Sequence, residues 1–128
     1  MSTSGVSLIL ILGVSVFFLF MGAVALRNPE SVVANFGTTS LTREGRNEVR
    51  AVYGGFGVAV ALLLLATLWF PHLKPGVLVA VSVSLGGMAA GRVISVFADG
   101  SPSFVAWLFC ATELILAGGL LCALYIGT

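Results

Sequence analysis

The sequence predicts an all-α integral membrane protein, a four-helix bundle in up-down order with a short interfacial helix in the first loop. Hydrophobic residues make up 59% of the 128 residues and charged residues only 9%, whereas soluble domains carry roughly 25% charged residues. Four apolar stretches of membrane-spanning length are separated by polar segments rich in Pro, Gly and Ser. The chain has too little polar surface to cover a soluble globule, so we expect one transmembrane domain over residues 1–128.

The first apolar stretch predicts a membrane helix over about residues 6–26. It carries no charged side chain, and at about 1.5 Å per residue it is long enough for a hydrocarbon core of roughly 30 Å. A signal peptide is the competing interpretation, because Ala23-Val24-Ala25 resembles a cleavage site. Residues 1–7 lack the Lys or Arg that begins such a peptide, so we expect a membrane helix instead.

The first loop contains signals for a short helix on the membrane surface. Asn28 and Pro29 are typical of a helix start, as a cap and a first helical residue, and Gly37 is typical of a helix end. Apolar residues such as Val32 give this segment one apolar face, which favours an interfacial position. Thr42 is then expected to cap the helix that becomes the second span.

Three further spans are predicted over about residues 43–70, 76–97 and 103–125. Trp69 lies at the end of the second span, where an interfacial aromatic residue is expected. Prolines bracket the turn that follows, and a turn over residues 98–102 separates the last two spans. These short connections make successive helices antiparallel neighbours.

Basic residues predict the orientation of the chain in the membrane. Arg27, Arg43 and Arg46 lie in the first loop, whereas the opposite side holds Lys74. Loops rich in Lys and Arg remain in the cytoplasm. We therefore expect a multi-pass protein with a cytoplasmic first loop and both termini outside.

Three ionisable residues are predicted to lie inside the spans: Arg50, Arg92 and Glu113. A charge at the bilayer centre is unfavourable by about 2.5–3.5 kcal/mol on insertion scales, and charge-assisted hydrogen bonds offset this. We expect Glu113 to hydrogen-bond at least one of the two arginines. Two interpretations stay open: an ion pair that only holds the bundle together, or a site for a headgroup or a proton-coupled carboxylate.

Helical spacing places further polar and small residues on the same faces as these charges. Asp99 is expected to cap the loop after the third helix or to pair with Arg50. The candidates for a buried polar or ligand-binding site are Asn47, Glu48, Arg50, Tyr53, Arg92, Ser95, Asp99 and Glu113. Small residues let helices approach closely, and the candidates for helix packing are Gly54, Gly57, Gly87 and Gly91.

No constellation typical of an enzyme, a metal site or a phosphate loop occurs in the sequence. His72 has no second metal ligand nearby, and Ser95, Cys110 and Cys122 have no histidine partner in a membrane helix. A net charge of +1 argues against binding of nucleic acid. We therefore expect no catalytic residue, no metal, no cofactor and no nucleic acid partner.

Several short motifs together resemble a bacterial family of small four-helix membrane proteins that is catalogued only as a domain of unknown function. The resemblance rests on Asn47-Glu48-x-Arg50-Ala51-x-Tyr53-Gly54-Gly55, Gly91-Arg92-x-x-Ser95, Asp99-Gly100-x-Pro102 and Glu113-Leu114. It implies a protein of the bacterial inner membrane and supplies no activity. In composition, residues 43–50 are also similar to small four-helix membrane enzymes that bind glutathione, but the longer polar pattern of those enzymes is missing.

The leading functional interpretation is a non-enzymatic accessory or scaffold subunit that works through helix–helix contacts, with itself or within a larger membrane complex. The glycine-rich helix faces favour association. The alternative is a small transporter or a lipid-binding or headgroup-binding protein that uses the Glu and Arg residues. A glutathione-dependent membrane enzyme is the remote third possibility.

Overall fold

The computed structural model describes residues 4–127, and four of its helical segments are long and apolar enough to cross a membrane. These segments are Gly5–Arg27, Arg43–Ala66, Pro71–Asp99 and Phe104–Ile126. The described part of the chain is helical, with no strand. The predicted all-α class with four potential membrane helices is therefore confirmed.

The helices are numbered in chain order. The second span consists of α3 and α4 joined by a segment of π-helix, and the third span begins with a 3₁₀ turn at Pro71–Leu73. The helices are α1 (Gly5–Arg27), α2 (Pro29–Ala34), α3 (Arg43–Val49), α4 (Phe56–Ala66), α5 (Lys74–Asp99) and α6 (Phe104–Ile126), and the π-helical segment is Arg50–Gly55.

The first loop folds as its capping residues predict. The Asn28 side chain accepts a hydrogen bond from the Ser31 amide at 3.4 Å and starts α2, and Gly37 adopts a φ of +83° beyond its end. The Thr42 hydroxyl accepts from the Gly45 amide at 3.0 Å and starts α3. The apolar face of α2 packs against the protein itself, since Val32 is buried.

The second span ends earlier than the predicted residue 70. The helix α4 stops at Ala66, and the Thr67 hydroxyl donates to the Leu64 carbonyl at 2.7 Å. The amides of Thr67, Leu68 and Trp69 bond to carbonyls three residues back, which tightens the last turn. Pro71 follows, lacks an amide hydrogen and disfavours a helical conformation of Phe70.

The third and fourth helices lie within two residues of their predicted bounds. The prediction of 76–97 becomes Lys74–Asp99, because Pro75 is tolerated in the first turn of α5. Gly100, with a φ of +88°, ends that helix. The prediction of 103–125 becomes Phe104–Ile126.

The helix α1 occupies the middle of the bundle. It packs against the second span on one side and against α6 on the other, and α5 packs mainly against α6. The main core lies in the half of the bundle that holds the turn between α4 and α5, with Ile11, Leu64, Leu78 and Leu120 almost fully buried. A smaller cluster of Ala25, Val32 and Val49 lies under the first loop.

Glycines bring α1 and the second span into direct backbone contact. A Cβ on Gly22 would lie 2.9 Å from the Gly54 oxygen and 2.9 Å from the Val58 nitrogen. A Cβ on Gly57 would lie 3.2 Å from the Phe18 oxygen. Only glycine allows the backbones to approach this closely. The predicted packing role of Gly54 and Gly57 is thereby confirmed.

Candidate functional site

An ion pair between α5 and α6 forms the polar centre of the bundle. Arg92 Nη2 donates to Glu113 Oε1 at 2.7 Å, and Arg92 Nε donates to Oε1 at 3.0 Å and to Oε2 at 2.9 Å. Glu113 is only 4% exposed, whereas the Arg92 side chain is 25% exposed. The prediction that Glu113 hydrogen-bonds at least one arginine is confirmed, and the partner is Arg92.

Two aromatic rings enclose the guanidinium of Arg92. Its central carbon lies 5.4 Å from the ring centroid of Phe109 and 5.9 Å from that of Phe36, and the two rings are 5.6 Å apart. Cations at such distances from aromatic faces are attracted by the ring quadrupole. Phe36 follows α2, so this contact ties the first loop to the polar centre.

A cavity of about 480 Å³ adjoins the ion pair. All four spans and the α2 region contribute to its wall, which is mainly hydrocarbon. Bulky apolar side chains in the wall include Phe17, Phe18, Met21, Phe56, Met88 and Phe109. The ion pair and the Tyr53 hydroxyl are the polar side-chain groups in this wall. Leu85 of the main core and Val32 of the smaller cluster under the first loop both line the cavity.

Exposed residues of the cavity wall lie on both sides of the gap between the second span and α5. Val52, Tyr53 and Phe56 on one side and Met88 on the other line the cavity and are exposed on the outside of the bundle. The second span contacts α5 only sparsely, mainly in the half that holds their connecting turn. The gap faces sideways, toward the space that lipid occupies around a membrane bundle.

The π-helical segment positions one wall of the cavity. Ala51, Val52 and Tyr53 lie in this widened turn and line the cavity, and π-bulges are frequent at functional sites. The Arg50 side chain in the same segment points to α1, where its Nε donates to the Leu26 carbonyl at 2.9 Å. A cation at the end of α1 satisfies a carbonyl without an intrahelical partner.

Arg50 therefore does not belong to the ion pair, and the predicted alternative of a contact with Asp99 is wrong. Among residues 4–127, the ion pairs are Arg92 with Glu113 and Arg46 with Glu30. Asp99 instead accepts from the Ser95 hydroxyl at 3.5 Å, one turn earlier on α5. Arg50 prefers the nearby helix end because the close contact of α1 with the second span brings that carbonyl within its reach.

Four other polar candidates lie outside the cavity. Asn47, Glu48, Ser95 and Asp99 are exposed and do not line it, so the prediction of burial is wrong for them. Asn47 and Glu48 belong to α3, which extends beyond the bundle core, and Ser95 and Asp99 lie near the end of α5. Tyr53, Arg92 and Glu113 are the predicted residues that the fold brings together.

The glycines predicted to pack on α5, Gly87 and Gly91, differ from Gly54 and Gly57 of the second span. A Cβ placed on Gly87 or Gly91 would meet no atom within 4 Å, and both residues are exposed. Within residues 4–127 no helix packs closely on these two glycines, so their predicted packing role stays a prediction that concerns a partner outside this chain. The reason is that α5 turns a different face toward α6, the one that carries Leu78, Ser82 and Ala89.

Sequence reasoning missed the aromatic wall and the glycine that permits the α1 contact. Phe17, Phe36 and Phe109 lie far apart in the chain, and no local pattern indicates that they meet. Gly22 lies in an apolar run in which packing and lipid-facing glycines look alike. The chain contains nine phenylalanines. The one signal for an aromatic layer is that some of them fall at similar depths in different spans.

The arrangement is suited to apolar contact with a bound molecule. Its main polar feature is the ion pair, whose two charges cancel. Within residues 4–127, no group of three His, Cys, Asp or Glu side chains converges on a metal position. The carboxylate already accepts from the guanidinium, so the cavity presents mainly hydrocarbon, an aromatic layer and the outward-facing part of Arg92.

No curated protein and no solved structure matches this chain. The sequence profile of one family, described as a domain of unknown function (DUF4345), matches residues 6–124. That match covers almost the whole chain and includes all four spans together with the ion pair and the cavity. This small polytopic protein therefore belongs to the family described as a domain of unknown function, DUF4345.

Proposed function

We propose that this protein is a non-enzymatic membrane protein that binds a lipid-like, chain-bearing molecule in its central cavity. The observation that carries the proposal is the position of the cavity, which adjoins a charged pair at one point and opens sideways between the second span and α5. Its ligand enters from the membrane and not from water.

The size and lining of the cavity support a small lipid-like ligand. Pockets for small molecules measure about 300–1,000 Å³ and are mostly apolar with a few polar groups that set orientation. A volume of about 480 Å³ lies in this range. Phe and Met side chains supply large contact areas, and Met adapts to irregular shapes.

The ion pair fixes where the polar end of the ligand lies, and it also stabilises the fold. Three hydrogen bonds from Arg92 hold the Glu113 carboxylate in place. A proton-coupled transporter needs a carboxylate that is accessible and readily neutralised, and Glu113 is 4% exposed and paired. Binding is therefore favoured over proton exchange.

Filling the cavity with a side chain is expected to exclude the ligand. Ala51 lines the cavity, so Ala51→Trp places an indole in the space that the ligand occupies. Photo-crosslinking in lipid nanodiscs with a diazirine on the acyl chain then reports occupancy. We expect wild type to be labelled at cavity residues that are not exposed on the outside of the bundle, such as Phe17 or Phe109, and labelling there to fall at least several-fold in Ala51→Trp.

The matched control is Ala59→Trp, because Ala59 is exposed on α4 and does not line the cavity. This variant should be labelled like wild type. Equal labelling of cavity residues in both variants, or wild-type labelling confined to the outer surface of the bundle, contradicts the proposal.

A second candidate function is helix-mediated self-association, as for an accessory or scaffold subunit. The observation in its favour is a continuous face of small, exposed residues along α5, formed by Gly76, Ala80, Ser84, Gly87, Gly91 and Ser95. Such a face suits a helix of a second copy. If so, Gly91→Leu converts an oligomer to a monomer in native mass spectrometry, whereas Gly118→Leu on an open face of α6 does not. A wild-type monomer eliminates this candidate.

The proposed location is the bacterial inner membrane, with the first loop in the cytoplasm and both termini outside. The excess of arginine in the first loop over the opposite side supports this orientation. In a variant with Cys110 and Cys122 replaced, Ser40→Cys should react with an impermeant maleimide only after the membrane is opened. Reaction in intact cells reverses the orientation.

A further inference from the structure

The polar groups at the cavity wall have unequal hydrogen-bonding capacity left for a ligand. Glu113 already accepts three contacts from Arg92 and is 4% exposed. Arg92 carries five N–H hydrogens, and within residues 4–127 its Nη1 group donates to no protein acceptor. The Tyr53 hydroxyl likewise has no hydrogen-bond partner in the described part of the chain. What the site offers a ligand is therefore donors.

The charge of the site is already balanced. Arg92 and Glu113 form a bidentate pair, so the wall contributes no net charge to the cavity. An anionic group placed against Arg92 would compete with Glu113 and leave one buried negative charge without a partner. Charges without partners are strongly disfavoured in apolar surroundings. A cationic group would meet the exposed side of the guanidinium and is disfavoured for the same reason.

The site offers hydrogen-bond donors but no net charge. We therefore infer that the cavity selects an uncharged ligand that has a hydrocarbon chain and carries a carbonyl or ester oxygen at its polar end. That oxygen accepts hydrogen bonds from Arg92 and Tyr53, and the hydrocarbon part lies against Phe17, Met88 and Phe109. This inference rests on the proposed function and adds the chemical class of the ligand. Acyl esters and quinones with apolar tails share this chemistry.

Four ligands of graded head chemistry test the inference. Methyl oleate is a neutral ester, oleate at alkaline pH is the corresponding anion, and octadecene has a chain of the same length without an acceptor. Decylubiquinone supplies quinone carbonyls. Each competes with a photo-crosslinkable diazirine analogue of octadecene for labelling of purified wild type in detergent, and Ala51→Trp defines the labelling that does not depend on the cavity.

We expect methyl oleate to compete about threefold to tenfold better than octadecene, the gain of one to two hydrogen bonds, and oleate to compete less well than its ester. Decylubiquinone competing better than methyl oleate assigns the carbonyl to a quinone, and the reverse assigns it to an acyl ester. The variant Tyr53→Phe removes only the hydroxyl, so it should reduce the factor by which methyl oleate competes better than octadecene. Tyr125→Phe, outside the cavity, should leave this factor unchanged.

Equal competition by ester and alkene, or strongest competition by oleate, overturns the inference and leaves the proposed function standing. Labelling that no compound reduces, or that is the same in Ala51→Trp and wild type, overturns the proposed function and the inference together. A ratio unaffected by Tyr53→Phe removes Tyr53 from the site and leaves Arg92 as the donor.

Discussion

The variant Arg92→Ala is expected to lose about 3–5 kcal/mol of stability, because it leaves the buried Glu113 carboxylate without a partner. Glu113→Gln should lose less, about 1–3 kcal/mol. Its amide oxygen still accepts from Arg92, and the arginine side chain, 25% exposed, can reorient toward the membrane surface. Thermal melts of the three proteins in the same detergent measure the difference.

A double variant separates the loss of the pair from the exposure of one member. Arg92→Met with Glu113→Leu removes both charges and keeps apolar volume, so its stability should be close to wild type or higher. The interaction energy from the double-mutant cycle should then be large. If Arg92→Ala, Glu113→Gln and wild type all melt together, the ion pair faces water or an aqueous ligand cavity, and its structural role has to be dropped.

The second large effect is expected at the contact between α1 and the second span. In Gly22→Ala, the new Cβ would lie 2.9 Å from the Gly54 oxygen and 2.9 Å from the Val58 nitrogen. Both are backbone atoms, so the helices have to separate, and the expected loss of stability is about 1–3 kcal/mol. The same melts measure it.

Gly13→Ala is the matched control on the same helix, because a Cβ there meets no atom within 4 Å. It should leave stability unchanged or raise it slightly. Combining Gly22→Ala with Val58→Ala removes the Val58 Cγ2 contact and should still not restore stability, since the backbone contacts remain. A Gly22→Ala protein as stable as Gly13→Ala would show that α1 and the second span are farther apart.

Features that depend on local chain chemistry could be predicted from the sequence. Span positions follow from the length of apolar runs, and the caps at Asn28 and Thr42 follow from side chains that bond to amides three residues ahead. The pair of Arg92 with Glu113 was also predictable, because a short turn makes α5 and α6 antiparallel neighbours and buried charges need partners.

Features that depend on contacts between distant segments could not be predicted from the sequence. The partner of Arg50 is the Leu26 backbone carbonyl, and a carbonyl has no signature in the sequence. The widened turn at Arg50–Gly55 and the phenylalanines of the cavity wall become visible only when the helices are assembled. The glycine pattern indicated close packing for α4 and α5 alike, yet only α4 uses it within the chain.

The most direct test of a lipid-binding cavity is an experimental density map of the wild-type protein crystallised from a lipid phase. We predict a continuous, elongated density that fills the space between Phe17, Met88 and Phe109, with its polar end toward Arg92 and Tyr53. A cavity closed by inward rotation of Phe56 and Met88, or one that holds only separate water peaks, would contradict the claim.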